Sequence, residues 1–393
     1  MANDTTNILV LLKKIATEQN YCDPGIKISP LSTGGANYSS RLYLITITSD
    51  DKDDLQLFAK VAAIGEKMRE QSALEPYDCE RFMYTELVKI YRRLEDKFNI
   101  SDEKHKLTVP KYYGADATRL QEILVLEDLS CQGFTLHNRA ESVSWAYAAA
   151  AVTELAKFHA LSLAFQHYEP NEFDEVTRRF PRGMFKEHEG NDVFYNSSVK
   201  SAMAAVREHN KGKLQRFLDG TNLAKFSSMY GALRRPVLIH ADFRPSNMLH
   251  RFKKDGSVEV IAVDYQSIQA GCPVIDLIYF IYTATDGPFR AKYYQKLIEH
   301  YRTELGAALA RLGLDIEKEY SREDFEFELK EKLPYGLHLS VLCLPVLLIT
   351  TDDAPPLDKE LDMSKLAVES SGDDYVRRLN EVVDDYVAWG VLL

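Results

Sequence analysis

The residues that carry the chemistry in this sequence are two carboxylates and an amide. His240-Ala241-Asp242-Phe243-Arg244-Pro245-Ser246-Asn247 follows the apolar run Pro236-Val237-Leu238-Ile239, and a second apolar run, Val258–Val263, delivers Asp264-Tyr265-Gln266. An Asp, an Asn five residues later and an Asp at a strand end suit phosphoryl transfer. Asp242 would accept the proton of an attacking hydroxyl as the catalytic carboxylate. The amide oxygen of Asn247 and the carboxylate of Asp264 would hold Mg²⁺ against the phosphates of ATP, because that cation takes hard oxygen donors. The pattern D-x-x-x-x-N alone is weakly specific. H-x-D-x-x-x-x-N between two apolar strands, followed by a strand-terminal Asp, is far more so.

Such a site needs a lysine on an upstream strand to hold the phosphates and a helix glutamate to fix that lysine. Phe58-Ala59-Lys60-Val61-Ala62 places Lys60 among apolar strand residues, where an unpaired ammonium is costly. Glu80 lies on the following helical segment and is its expected partner. The plain alternatives are a solvent-facing lysine on an edge strand and an ordinary exposed helix glutamate. Ahead of the lysine strand, Ser32-Thr33-Gly34-Gly35-Ala36-Asn37-Tyr38 forms a glycine loop whose backbone N–H groups at Gly34, Gly35 and Asn37 could cover phosphates. It matches neither G-x-x-x-x-G-K-[ST] nor G-x-G-x-x-G, which argues against a P-loop NTPase and a protein-kinase loop. Glu127-Asp128-Leu129, at the end of the strand Ile123–Leu126, would offer the backbone of Glu127 and Leu129 to adenine.

The elements that must position these groups follow from hydrophobic periodicity. Leu42–Thr48 and Leu55–Ala62 read as a hairpin around a charged turn, and Glu75–Lys97 reads as a helix with apolar residues every three or four positions. The N-terminal segment reads as an amphipathic helix capped near Asp4 or Thr5. After Gly133 the chain turns mainly helical, with segments at 142–165, 198–230, 288–312, 322–350 and 372–389 around the β island that carries Asp242 and Asp264. The expected fold is α+β and bilobal, like a protein kinase: a β-rich N-lobe over residues 1–128 with one key helix, and a larger, mainly helical C-lobe over 129–393. His159, inside a helix, reads as structural. Asp276 reads as a helix N-cap or as an acceptor for the catalytic loop.

Composition sets further bounds. A net charge of −11 argues against nucleic acid as a partner, since no overall basic character is present to displace counterions. Five scattered cysteines form neither a disulfide framework nor a zinc site, and the longest apolar run, near Leu337–Thr350, is shorter than a membrane span. With no leader pattern at the N-terminus, the expectation is a cytoplasmic monomer that meets no membrane.

Taken together these residues resemble the insect ecdysteroid kinase-like family, in the aminoglycoside-phosphotransferase and choline-kinase branch of the kinase-like fold, over about residues 30–350. The matching stretches are Gly35-Ala36-Asn37-Tyr38, Glu80 with Tyr84, Leu124–Leu129, Phe158-His159-Ala160, Asp264-Tyr265-Gln266 and Asp276-Leu277-Ile278-Tyr279-Phe280. The resemblance implies Asp242 as base, Asn247 and Asp264 as metal ligands, Lys60 on the phosphates and Glu80 as its partner. It also implies a steroid-like hydroxyl acceptor, the C-22 hydroxyl of an ecdysteroid, with xenobiotic alcohols, choline or aminoglycosides as alternatives. A binding protein without turnover is the alternative of another class. The sequence departs from the family pattern at Ala241, where Gly is frequent, at Tyr265, where Phe is frequent, and at Ala36, where an acid is frequent. None of these removes a charged group the chemistry needs. Aromatic residues that could wall an acceptor site (Phe194, Tyr195, Tyr230, Tyr279, Phe280, Tyr282 and Tyr335) read first as core. Only twelve positions separate Asp264 from Asp276, with no Ala-Pro-Glu, which leaves no room for a long activation segment and disfavours a protein substrate.

Overall fold

Strand β3 (Lys52–Ala62) shows how the sequence builds the first half of the molecule. Its residues alternate: Leu57, Ala59 and Val61 are buried on one face of a sheet, and Lys60 points to the other. The computed structural model describes residues 2–32, 39–180, 183–349, 355–367 and 372–393. In it β3 lies at the centre of a five-stranded antiparallel sheet with β1 (Gly25–Leu31), β2 (Ser40–Ser49), β4 (Tyr112–Asp116) and β5 (Ile123–Glu127), in the order β1-β2-β3-β5-β4. Lys60 is paired with Leu42 on one side and Leu124 on the other, which excludes an edge-strand position for it. The outer face of the sheet is closed by the N-terminal helix Ala2–Glu18, whose Ile8, Leu12 and Ile15 pack on Ile45, Leu57 and Val125. That helix starts before the Asp4 or Thr5 cap expected from the sequence, since nothing between Ala2 and Thr5 breaks a helix.

The inner face meets a continuous helical rod made of Pro76–Phe82, a π-helical turn Met83–Leu87 and Val88–Lys97. Pro76 sits at its first position, where a missing N–H costs nothing. Glu80, Met83, Tyr84, Leu87 and Tyr91 lie on its buried side.

The second half is organised by the helix Trp145–Tyr168, capped by Ser144, whose side chain accepts the N–H of Tyr147. By length and composition this helix could cross a bilayer, but its apolar window is 78% buried inside the protein, as the central helix of a folded core is. Short strands lie against it: β7 (Val237–Ile239) pairs with β10 (Gln269–Gly271), and β8 (Met248–Phe252) pairs with β9 (Val258–Ala262) and with β6 (Thr135–Leu136). The hydroxyl of Ser162 on the central helix accepts the N–H of Leu238, fixing the strand that leads into Asp242. The region expected to be helical over 198–230 is three helices, the end of Glu189–Ala205, then Glu208–Leu218 and Leu223–Ser228. Gly220, with φ of +68°, takes a left-handed turn that interrupts the helical path. Helices Pro273–Ala284, Gly287–Arg311, Arg322–Leu347 and Asp373–Ala388 complete the core.

The two halves are also joined beside the cleft. Ser72 bridges to Phe185 in β fashion, Ala73 N–H donates to Met184 O at 3.0 Å, and the side-chain oxygen of Gln71 accepts Met363 N–H at 2.7 Å.

Candidate active site

The loop after β7 is held from behind by one buried carboxylate. Asp276, in the first turn of the helix Pro273–Ala284, accepts the backbone N–H of His240 at 2.7 Å and of Ala241 at 2.8 Å. It also accepts Nε2–H of His159 at 3.1 Å, and His159 Nδ1 in turn accepts the hydroxyl of Tyr301 at 2.8 Å. Asp276 and His159 are both fully buried, so this chain of donors is what makes a buried carboxylate tolerable. Cys272, not Asp276, is the N-cap; Asp276 is the acceptor for the loop that carries Asp242. Its two bonds bend the backbone so that Ala241 takes φ of +63°, a left-handed conformation that favours glycine.

That turn places Asp242 in a clamp of three donors. One oxygen, Oδ1, accepts Nε–H of Arg244 at 2.8 Å and the hydroxyl of Tyr279 at 2.6 Å; the other, Oδ2, accepts Nδ2–H of Asn247 at 2.6 Å. Burial alone would lower the basicity of Arg244, but the adjacent Asp242 carboxylate outweighs it and holds the guanidinium firmly protonated. Because the Asn247 amide donates through nitrogen, its side-chain oxygen points away from Asp242 and is available as a ligand. Val263 N–H donates to the carbonyl of Asn247 at 2.9 Å, which ties the loop to the end of β9, and Asp264 follows there with φ of +67°.

Lys60 spans the cleft from the sheet. Its ammonium donates to Oε2 of Glu80 at 2.7 Å and to Oδ1 of Asp264 at 2.5 Å, with 7% of Lys60 and 3% of Glu80 exposed. Burial pulls the Lys60 pKa down, but Asp264 and Glu80 overcome it and leave it raised. Burial pushes the Glu80 carboxyl up against the pull of Lys60. For Asp264 burial acts upward as well, and there Lys60 and Arg244 prevail and lower it.

Lys60, Glu80, Glu127, Leu129, Asn247 and Asp264 border one chamber of about 260 Å³ between the sheet and the helical half. Its walls are apolar, with Leu42, Phe58 and Leu126 from the sheet facing Leu249 and Val263 from the other side. Asp242 joins it through Asn247. Gly34, Gly35 and Asn37 lie outside the described residues. Phe194, Tyr195, Tyr230, Phe280, Tyr282 and Tyr335 are core residues and do not border this chamber. Tyr279 is also buried, but its hydroxyl reaches Asp242. Sequence reasoning missed that role and the one of Arg244. The signals were present: Tyr279 lies three residues after Asp276 on one helix face, and Arg244 is the only cation inside the loop.

A β-sheet lobe and a helical lobe that close on a Lys–Glu pair, an Asp–Asn loop and a strand-end Asp define a kinase-like fold of the small-molecule phosphotransferase class. The chain belongs to the ecdysteroid kinase-like family, whose pattern it matches over residues 34–314. No curated protein matches it. Among solved structures it is similar to the aminoglycoside phosphotransferase APH(3'')-Id from Streptomyces rimosus, in complex with ADP and streptomycin, at 15% identity over 85% of this chain and 98% of that one, with a TM-score of 0.37. It is also similar to a putative fructosamine-3-kinase from Haemophilus somnus at 13% identity, 95% and 96% coverage and a TM-score of 0.37. The GDP and kanamycin complex of an APH(2'') enzyme is 11% identical over 86% and 91%, with a TM-score of 0.43.

Proposed function

We propose that this protein transfers the γ-phosphoryl group of ATP to a hydroxyl of an ecdysteroid-type alcohol, the C-22 hydroxyl, with Asp242 as the proton acceptor. The observation that carries the reading is the convergence of Lys60, Glu80, Asn247 and Asp264 on one chamber, with Asp242 hydrogen-bonded to its wall. The donor set suits Mg²⁺: a carboxylate and an amide oxygen, both hard. Among the described residues no group of three or more His, Cys, Asp or Glu side chains could cage a metal. A cation here would therefore rest on two protein oxygens and the phosphates of the substrate, as Mg²⁺ does in such sites. When bound, Mg²⁺ supplies charge neutralisation for the phosphates.

The protein's own groups do the rest. Lys60 has three N–H donors, of which Glu80 and Asp264 take two; the third would be open to phosphate oxygens, and Asp264 would be the residue, with Asn247, to hold the cation. Asp242 orients the acceptor hydroxyl and receives its proton, and the apolar walls keep water from competing for the phosphoryl group. The steroid acceptor rests on family membership, and a reducing compartment fits the five unpaired cysteines.

The test is a transfer assay with Mg·ATP and ecdysone, choline or kanamycin, with the product's site of phosphorylation mapped by NMR. Asp242→Asn is expected to lower kcat about 10²–10⁴-fold with nucleotide affinity retained. A variant with wild-type turnover would sink the role of Asp242, and transfer to choline or kanamycin but not ecdysone would sink the acceptor.

A further inference from the structure

The short helix Glu66–Gln71, which follows β3, is held from two sides. On the sheet side, the buried Arg69 forks onto both carboxylate oxygens of the buried Glu122, at 2.7 and 2.8 Å, and the Glu122 carbonyl accepts Ala62 N–H at the end of β3 at 2.8 Å. Nε–H of Arg119 adds a bond to Glu66 at 2.9 Å. A buried two-bond fork fixes orientation as well as distance, so this helix moves with the sheet whose Lys60 lies five residues before Gly65. On the other side runs a strap, residues 358–366, that belongs to the helical half. Its Leu361, Met363 and Leu366 are buried in the main core, and its turn Met363–Leu366 packs on the helix Glu189–Ala205. Asp362 caps that turn by accepting Ser364 N–H at 2.9 Å.

Strap and helix form a clasp with a firm end and a releasable end. The firm end is Gln71, which is buried: its carbonyl accepts Lys186 N–H at 3.1 Å and Nδ2–H of the buried Asn191 at 3.0 Å, and its side-chain oxygen accepts Met363 N–H at 2.7 Å. The releasable end is the start of the helix. A Cβ on Gly65 would lie 2.2 Å from the carbonyl oxygen of Lys359 and 3.1 Å from its Cα, so the two backbones touch with no room for a side chain. Gly65 has φ of −89° and ψ of −170°, extended backbone that any residue adopts, so it is the approach of the strap that calls for glycine here. Two residues on, Lys67 pairs with Glu360 at 2.5 Å, with side chains 57% and 66% exposed, where water and salt compete for both charges. Buried backbone bonds thus anchor one end of the helix, and a bare backbone contact with a wet ion pair holds the other.

Resting on the kinase reading above, we infer that the strap is a latch on the cleft: its contact with Gly65 and Lys67 holds the sheet closed over the 260 Å³ chamber, and its release sets the rate at which nucleotide leaves. A swing of the helix about Gln71 parts Gly65 from Lys359 and carries the end of β3, with Lys60, away from Asn247 and Asp264. Hinged closure of this kind needs a pivot that keeps its bonds and a contact that gives them up, and the two ends of the helix Glu66–Gln71 supply one each. Product release rather than chemistry then limits turnover when the latch is shut.

The experiment is stopped-flow dissociation of mant-ADP from the full chain in the presence of Mg²⁺, together with amide hydrogen exchange of the ligand-free chain. Gly65→Ala sets a methyl against the Lys359 carbonyl; mant-ADP is expected to leave about tenfold faster, and residues 63–70 and 358–362 to lose protection together. Lys67→Glu opposes two carboxylates and should speed release about threefold, and adding Glu360→Lys should restore the wild-type rate. The charge swap keeps the test open should Gly65→Ala fold poorly. Release rates unchanged in both Gly65→Ala and Lys67→Glu, or a Lys67→Glu rate that the second charge fails to restore, would overturn the latch. The kinase reading fails separately. If mant-ADP does not bind the wild type, hydrogen exchange in Gly65→Ala decides alone: joint loss of protection in helix and strap upholds the latch, and loss in the strap only overturns it.

Discussion

Replacing Asp276 by Asn tests whether one buried carboxylate sets the catalytic loop. Asp276 accepts three hydrogen bonds, from His240 N, Ala241 N and His159 Nε2. An amide has one acceptor oxygen. If that oxygen takes the Oδ2 position it retains His240 and His159, and its NH₂ then confronts the N–H of Ala241. One bond to a charged acceptor, worth about 1.5–3 kcal/mol, is lost, and two others weaken toward the ~1 kcal/mol of neutral pairs. Relief of the buried charge offsets part of this, leaving a net loss of about 2–4 kcal/mol. That is a large share of the roughly 5–15 kcal/mol that holds a typical protein folded. Urea unfolding followed by the fluorescence of Trp145 and Trp389 should show the midpoint falling at constant slope. Because Asp242 is the next residue after Ala241, displacement of the loop by about 1 Å should also lower kcat about 10²-fold. Tyr301→Phe, which removes only the outermost bond, should cost about 1 kcal/mol and leave kcat nearly unchanged. An Asp276→Asn protein within 1 kcal/mol of wild type and within threefold in kcat would refute the argument.

Three further outcomes are expected. Tyr279→Phe deletes the hydroxyl on Asp242 Oδ1 and, at about 1.5–3 kcal/mol for a bond to a charged group, should reduce kcat about 10–100-fold while the AMP-PNP dissociation constant is unchanged; an equal loss in both would mean that the tyrosine only supports the fold. Ala241→Gly should be neutral to within about 1 kcal/mol, since relief of the left-handed strain is balanced by greater freedom of the unfolded chain and a lost methyl, whereas Ala241→Val should destabilise strongly; equal melting temperatures for the two would contradict the assigned backbone. Burial drops the His338 pKa to about 4 from 6.5, so between those values the unfolded chain binds more protons and stability falls as pH is lowered. Over the full window the loss should approach about 3 kcal/mol, and His338→Gln should flatten it; an identical pH slope in the variant would remove His338 as the cause.

Much of the site was legible because its parts are local. The Asp242-to-Asn247 spacing, the strand ending at Asp264 and the lysine in an apolar strand are short-range patterns, and the chemistry that needs them narrows the reading. Alternation and the hairpin turn could say that Lys60 shares a strand with buried residues and lies beside β2, but not that β5 flanks it on the other side, since that pairing is a long-range property. The same limit hid the clasp: Gln71 and Met363 are 292 residues apart, and no periodicity connects them. Tyr279 illustrates a different failure. A buried tyrosine on an apolar helix reads as core by composition, and it is core, except that its hydroxyl requires a partner, which turns out to be the carboxylate of Asp242. The break in the expected helix at 198–230 was signalled by Gly220, yet glycine inside a helical pattern is ambiguous until its φ is known.

On the kinase reading proposed above, the charge arrangement favours binding of the nucleotide before the acceptor. Each of the two candidate carboxylates already has a cation, Lys60 on Asp264 and Arg244 on Asp242, so neither attracts a stray positive group. Phosphates held by Lys60 would compete with Asp264 for that ammonium and would leave the Asp264 carboxylate free to hold a divalent ion. Arg244 has no such competitor and stays on Oδ1 together with Tyr279. The remaining lone pair of Asp242 is on Oδ2, the oxygen that faces Asn247, and a hydroxyl that reaches it lies on the same side as the nucleotide's phosphates. On that reading the clamp on one oxygen would set the side from which the acceptor hydroxyl attacks the phosphoryl group, and an alcohol that cannot turn that way would not be phosphorylated.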